Sequence, residues 1–385
     1  MRPESTMLLA CARAQLDAAH RDLIIHSIQR GVDWRLLWAR ASKHGVPYFV
    51  ATHARQLADQ TPEQTLVPRW LLDQVSEQQR RFMAQALRFL HYQQLLAERF
   101  ETQGLVVLWI KGLGLAQQLY RRLEARCCSD LDLLARSTDR QAVSSCLRQL
   151  GFKPYHSLIP GKDEHPQGAH HDAWVHETDG QIVIEAHYRL SGPASCQPRV
   201  DEVIARARWL ELAGQPVRVP DLEDELLMLC LHAHQHNFAM LRTLMDIAEY
   251  VTVHGAQLDW SQLFDRAQAC RASGRVHAAL ALAEATLGRA IDHPRKSVLT
   301  RFQRLVLRRL TPEAIAGAAG DQDDLRRLRL TLLMDRWSDV GRSVLPHFLP
   351  PASYVRAICP APWRRIPGLP RLYHLARLGW RALGG

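Results

Sequence analysis

Through the first hundred residues, apolar positions recur at three- and four-residue intervals, the spacing that gathers them on one face of a helix. Leu8 to Ile28, Trp34 to Lys43 and Pro68 to Phe100 carry this pattern. Gly31, Gly45-Val46-Pro47 and the polar stretch Asp59 to Gln64 interrupt it. The period changes at Leu105. Leu105 to Ile110 is apolar on both alternating faces, which predicts a strand covered from both sides. Lys111-Gly112 ends it, Gly114 follows, and Leu115 to Leu123 returns to helical spacing. Ser129 to Leu134 then alternates as a second short strand. Thr138 to Leu150 predicts a helix closed by Gly151-Phe152, followed by a long loop, Pro154 to Gly168, with Pro160, Gly161 and Pro166. Two more strand candidates, His171 to Glu177 and Gln181 to Leu190, are joined by Thr178-Asp179-Gly180, a hairpin signal.

Beyond Pro193 the pattern is helical again. Val219 to Glu225 places acid in a first helical turn, where the dipole favours it, and Trp260 to Leu287 continues to Gly288. After that, helical patches are cut by Gly317, Gly320, Pro346, Pro350, Pro351, Pro360, Pro362, Pro367 and Pro370. Leu369 to Leu383 is a basic amphipathic helix candidate, suited either to a membrane surface or to packing on the body of the protein. The expected architecture is α+β. A small mixed sheet over residues 104–192 sits between helical regions at 1–103 and 193–288, with a basic, proline-interrupted helical region over 289–385.

With 385 residues and 47% hydrophobic content, the chain can bury a large core in two or three units, and wholesale disorder is excluded. No signal peptide is visible, and the densest apolar run, Leu226 to Leu231, is far too short to span a bilayer. The 8 cysteines form no CxxC pair, which fits reduced thiols in a cytoplasmic protein. Cys127-Cys128, just ahead of the second strand, is either redox-sensitive or buried and inert. The net charge of +10 is concentrated at the end of the chain, where residues 289–385 hold 18 Lys and Arg against 7 Asp and Glu. That excess suits an anionic partner such as nucleic acid, a phosphate-bearing substrate or a membrane surface. Arginines coating solvated helix faces are the simpler reading, because no nucleic-acid-binding motif accompanies them.

Residues at i and i+2 of a strand share a face, so Asp130 and Asp132 present two carboxylates side by side while Leu131 and Leu133 point into a core. Carboxylates that close repel unless a cation lies between them, and an all-oxygen pair suits Mg²⁺ or Mn²⁺. In the hairpin, Val183, Glu185 and His187 share one face and Ile182, Ile184 and Ala186 the other. A glutamate within an apolar strand is costly to bury without a partner, and a neighbouring metal would be one. Histidines gather just before it, at His165, His170, His171 and His176, either to meet phosphate or as ordinary loop and strand residues. Farther on, His232 and His236 lie four apart on one helix face, the spacing of a zinc half-site. The glutamate of HExxH and further Cys/His ligands are missing.

The order of these features resembles the nucleotidyltransferases built on a DNA-polymerase-β-like palm. More narrowly, it resembles the bacterial nucleotidyltransferase family whose pattern is a strand ending in Lys-Gly, a helix with Leu-Tyr near its end, and Arg-x-x-x-Asp-x-Asp-x-Leu. Those positions are Lys111, Gly112, Leu119, Tyr120, Arg126, Asp130, Asp132 and Leu134 here. The Gly-Ser of the wider superfamily is absent, since Leu113 follows Gly112. Glu185, His187 and Tyr188 match the family's Glu-x-His-Trp, and His232, His236, Leu241-Arg242 and Asp246 match its helical wall. Asp33-Trp34 through His44-Gly45-Val46 resembles its helical lead-in, a scaffold that would also line the acceptor side of a cleft. The resemblance implies catalysis and metal binding by Asp130, Asp132 and Glu185. It implies nucleotide binding by Lys111, Gly112, Gly114, Arg126, His187, His232, His236 and Asp246. Lys111 itself is open between a phosphate contact and a strand-end lysine reaching solvent. The implied reaction moves a nucleoside monophosphate from an NTP, ATP by commonness, to an acceptor hydroxyl with release of pyrophosphate. The acceptor is a peptide, a sugar, a small molecule or RNA, and a natural-product or polysaccharide tailoring role is implied. The alternatives are a non-catalytic nucleotide- or partner-binding module and an RNA-binding protein.

Overall fold

In the computed structural model, the described residues are 1–60, 67–126, 128–155, 171–190, 196–294, 299–317, 324–348 and parts of 355–376. Cys127, Pro160, Gly161, His165, Pro166, His170, Gly320, Pro350, Pro351, Pro367, Pro370 and the end of the Leu369 to Leu383 segment lie outside them.

The N-terminal pattern resolves into α1 (Pro3–Cys11), α2 (Ala18–Gln29), α3 (Trp34–Lys43), α4 (Pro47–Gln60) and α5 (Arg69–Thr102). The stretch Leu8 to Ile28, expected as one helix, is two, because Asp17 caps a new start by accepting from the His20 backbone N–H. Such a cap is worth about 1 kcal/mol. Asp33 caps α3 in the same way. Pro47, expected as part of a break, opens α4, a position where proline forfeits no helical hydrogen bond.

Next come β1 (Leu108–Ile110), the single turn α6 (Gly112–Leu115), β2 (Leu131–Leu134), α7 (Arg140–Gln149), β3 (Phe152–Pro154), β4 (His171–His176) and β5 (Val183–His187). The five strands form one mixed sheet in the order β1-β2-β5-β4-β3. The β2–β5 pair is parallel and the other pairs are antiparallel. Beyond α8 (Val200–Ala205) the structure departs from the expected run of helix. Here β6 (Arg208–Leu212) and β7 (Gln215–Val219) form a separate hairpin. Ala213 and Gly214 turn it with φ of 49° and 82°, the left-handed pair that a two-residue hairpin loop requires. Helical structure then resumes with α9 (Leu222–Gln235), α10 (Leu241–His254), α11 (Trp260–Ala269) and α12 (Ser273–Leu287). The basic region adds α13 (Arg301–Leu307), α14 (Pro312–Ala316), α15 (Asp324–Leu330) and α16 (Trp337–Phe348).

Two cores position the site. On one face of the sheet, Leu131, Leu133 and Ile184 pack with Phe89, Leu96 and Phe100 of α5, Val143 and Leu147 of α7, and Leu212, Val217 and Val219 of the hairpin. On the other face, Leu108, Ile110 and Leu134 meet Val203 and Ile204 of α8 and Met228 of α9. A separate helical core joins α1–α4 to α9, α10 and α12. No described helix is long and apolar enough to cross a membrane. The seven described cysteines are all buried, and no two of them are bonded to each other.

Candidate active site

Strand register brings the acids together. Asp132 on β2 stands opposite Ile110 on β1 and Glu185 on the parallel β5, so the three side chains share one row on one face of the sheet. Leu131 and Leu133 on the reverse face are buried in the core that fixes this register. Strand β2 begins at Leu131, two residues later than alternation predicts, which leaves Ser129 and Asp130 in the bend just before the strand. Asp130 still faces the same cavity as Asp132 and Glu185.

The end of β1 is a sharp turn. Lys111 (φ 57°) and Gly112 (φ 48°) are consecutive left-handed residues. Glycine adopts that backbone freely, whereas a lysine held there costs about 1–3 kcal/mol. The turn carries the Lys111 ammonium inward, where Nζ donates to Asp132 Oδ1 at 3.0 Å. His187 Nε2 donates to the same oxygen at 2.7 Å and lies 3.4 Å from Glu185 Oε2. His171, opposite His187 across the β4–β5 ladder, places its Nε2 3.6 Å from Glu185 Oε1.

Above this floor lies a cavity of about 440 Å³, walled by the end of α9, the start of α10 and Arg126. Of the predicted residues, Lys111, Gly112, Arg126, Asp130, Asp132, Glu185, His187, His232 and His236 line it. Gly114 and Asp246 do not. Gly114 packs against the hairpin, where an added Cβ would meet Leu210 and Val219. Asp246 is buried behind the wall, accepting from Arg126 Nε at 3.1 Å and from the Tyr120 hydroxyl at 2.8 Å. Tyr120 and Asp246 thus brace Arg126 from behind, with Arg126 itself lining the cavity.

Sequence reasoning left Gln235 and Ser129 without a role and had Arg242 only as part of the helical wall that the resemblance implies; all three line the cavity. The signal for Arg242 was the Leu-Arg match to the family pattern, and the structure adds the lead-in turn as its support. The His44 carbonyl accepts from the Arg242 backbone N–H at 3.1 Å. Gly45 (φ 70°) lies so close that a Cβ would come within 3.2 Å of the Arg242 side chain. The first helices therefore bear on the site through Arg242.

The electrostatics are unbalanced. Burial, and then the Asp132 and Glu185 charges, push the Asp130 carboxyl above its ordinary range. Burial also opposes charge on Asp132, but Lys111 and His187 more than offset it and hold that carboxyl far below its usual range. The hydrogen bond from His187 leads a net lowering at Glu185. For His187, burial disfavours the cation, yet Asp132 and Glu185 raise the imidazole above its usual value. His232, by contrast, is kept neutral by burial and by Lys111 and His236 nearby. Three carboxylates thus converge on one cavity, and Asp130 is pressed by the charges of the other two more than Lys111 relieves it. Such an oxygen-rich set fits a divalent cation such as Mg²⁺ or Mn²⁺.

Residues 30–288 match the family described as uncharacterised nucleotidyltransferases, and the chain belongs to that family. It is a nucleotidyltransferase with an α+β fold and a mixed five-stranded sheet. Among solved structures, the chain is similar to the antibiotic-resistance factor ANT(2'')-Ia, at 15% identity and a TM-score of 0.33, covering 50% of this chain and 91% of that one. No curated protein matches the chain.

Proposed function

We propose that the protein transfers a nucleoside monophosphate from an NTP to an acceptor hydroxyl and releases pyrophosphate, with Asp130, Asp132 and Glu185 holding Mg²⁺ or Mn²⁺. The observation that carries this reading is the in-register Asp132–Glu185 pair on adjacent parallel strands, with Asp130 beside it, all facing one cavity. A divalent ion bound there supplies charge neutralisation for the triphosphate and for the attacking and leaving oxygens. Glu185, ionised near neutral pH, accepts the proton of the acceptor hydroxyl. The hydroxyl oxygen bonds to the α-phosphorus, the bond from that phosphorus to its bridging oxygen breaks, and pyrophosphate leaves with the electron pair. Lys111 is poised to exchange Asp132 for a phosphate oxygen, and Arg126 and Arg242 offer cationic groups on the opposite wall. The Lys111–Gly112 turn leaves room for close backbone approach, since nothing lies within 4 Å of a Cβ built on Gly112.

ATP is the nucleotide to try first, and the acceptor classes are a peptide, a sugar, a small molecule or RNA, in keeping with a natural-product or polysaccharide tailoring enzyme. The buried cysteines suit a cytoplasmic site of action. The basic residues 289–385 suit an anionic partner.

The test is a transfer screen: protein, Mg²⁺ or Mn²⁺, each α-³²P-labelled NTP, and cell extract as the source of acceptor. An Asp130→Ala/Asp132→Ala variant runs alongside. Label should enter a product with pyrophosphate released, and both should vanish in a variant that still melts cooperatively. Neither transfer nor metal-dependent nucleotide binding with any NTP would overturn the reading.

A further inference from the structure

Glu185 also belongs to a second grouping on the sheet. His171 and His187 stand directly opposite each other on the antiparallel strands β4 and β5, with ring centroids 5.1 Å apart. Glu185 lies two residues from His187 on the same face, and donor atoms of all three side chains fall within 4.8 Å of one another. Two donors each about 2.1 Å from a common ion stand about 3.0–3.4 Å apart in octahedral or tetrahedral coordination. Glu185 Oε1 lies 3.6 Å from His171 Nε2 and its Oε2 3.4 Å from His187 Nε2, so side-chain rotations would close the set on one ion. The donors sit on paired strands of one sheet rather than on loops, which favours a preorganised site.

We propose that His171, Glu185 and His187 form a nitrogen-bearing cation position beside the aspartate pair, one that takes Mn²⁺, Co²⁺ or Zn²⁺ in preference to Mg²⁺. Imidazole is a poor ligand for Mg²⁺ and a good one for the later first-row ions. The Asp130–Asp132 side of the site is all oxygen and suits Mg²⁺. The two sides therefore differ in metal taste and share Glu185. The incoming ion takes the place of the His187 Nε2 proton, which is released on binding, and the Asp132 oxygen 2.7 Å away remains beside the cation. The inference borrows Glu185 from the proposed function but does not require that transfer occur.

The experiment is metal titration of the full chain after chelator treatment, without nucleotide. Mn²⁺ and Mg²⁺ binding is followed by calorimetry, Co²⁺ by its visible absorption, and Mn²⁺ ligation by ¹⁴N modulation of its electron spin echo. Wild-type protein should bind Mn²⁺ and Co²⁺ more tightly than Mg²⁺ and show imidazole nitrogen on Mn²⁺. His171→Ala should weaken Mn²⁺ and Co²⁺ binding by about 10–100-fold while leaving Mg²⁺ affinity near its starting value. Asp130→Asn should do the reverse. Absence of ¹⁴N modulation in the wild type, or a Co²⁺ spectrum unchanged by His171→Ala in a folded variant, overturns the proposal. If Asp130→Asn still abolishes Mg²⁺ binding in that case, the carboxylate reading survives. Conversely, Co²⁺ held through His171 in a protein that transfers no nucleotide would keep the nitrogen site and remove the transfer reaction.

Discussion

Two clusters of charge lie toward opposite ends of α9, and they serve opposite purposes. In the first, Asp130, Asp132 and Glu185 face a cavity with Lys111, His171 and His187 around them, and Asp130 is left with like charges as its principal neighbours. In the second, Arg266 lies 2.7 Å from Asp221 and 3.2 Å from Asp224, while Arg206 reaches Asp224 at 2.8 Å. Every acid there meets a guanidinium, and Asp221 also caps α9. The second cluster ties the start of α9 to α11 and to the end of α8. Buried acid alone therefore does not mark a functional site. The mark is acid left under-neutralised and turned toward space that a ligand can fill.

The contrast breaks most sharply at Asp130. Asp130→Asn should lower transfer on the order of 10³-fold, yet leave the melting temperature unchanged or raise it, because it removes a carboxylate that its neighbours repel. Activity assays paired with thermal melts check both halves, and a large loss of stability would erase the distinction between the clusters.

Asp224→Ala should behave in the opposite way. A fully buried pair broken on one side costs about 3–5 kcal/mol. Because Arg206 is about one-third exposed, the loss here should be on the order of 2 kcal/mol in denaturant titrations. Transfer per folded molecule should persist.

Lys111 sharpens the comparison within the site. Lys111→Ala and Lys111→Gly both remove the ammonium from Asp132 and should weaken nucleotide affinity alike. The glycine variant should be the more stable of the two by about 1 kcal/mol, since it relieves the left-handed backbone. Equal stabilities would show that the turn stores no strain.

The smallest effect is acid sensitivity away from both clusters. Burial lowers His234 and His254 from 6.5 to about 4 in the fold. The folded protein then binds fewer protons than the unfolded chain between those values, so stability falls as pH drops from about 6.5 to about 4. Denaturant midpoints should decline across that window, and His234→Gln should flatten the decline.

Short-range pattern made much of the site legible. Alternation placed Asp132 and Glu185 on shared strand faces, Asp179-Gly180 signalled the hairpin, and the Lys111–Gly112 break matched the turn. The parallel pairing of β2 with β5 was different, because it joins Asp132 to Glu185 across α7 and two intervening strands, a pairing that no local period encodes. The family resemblance implied that Glu185 joins the aspartates at the metal site but not the direction in which the two strands pair. The β6–β7 hairpin escaped because Pro216, near the start of the second strand, reads as a strand breaker, although Trp209 and Glu211 alternating with Leu210 and Leu212 did carry the signal. Asp246 fitted the family pattern, but its position behind Arg126 depends on packing between α10 and the turn after α6, which spacing alone does not encode.

The central claim is that the α-phosphorus, and not the γ, is the centre attacked. One experiment separates them: matched reactions with α-³²P- and γ-³²P-labelled forms of the accepted NTP, the same metal and the same acceptor. The account predicts label in the acceptor from the α form and in pyrophosphate from the γ form, with both signals lost in Asp130→Asn. Label passing to the acceptor from the γ form would contradict it.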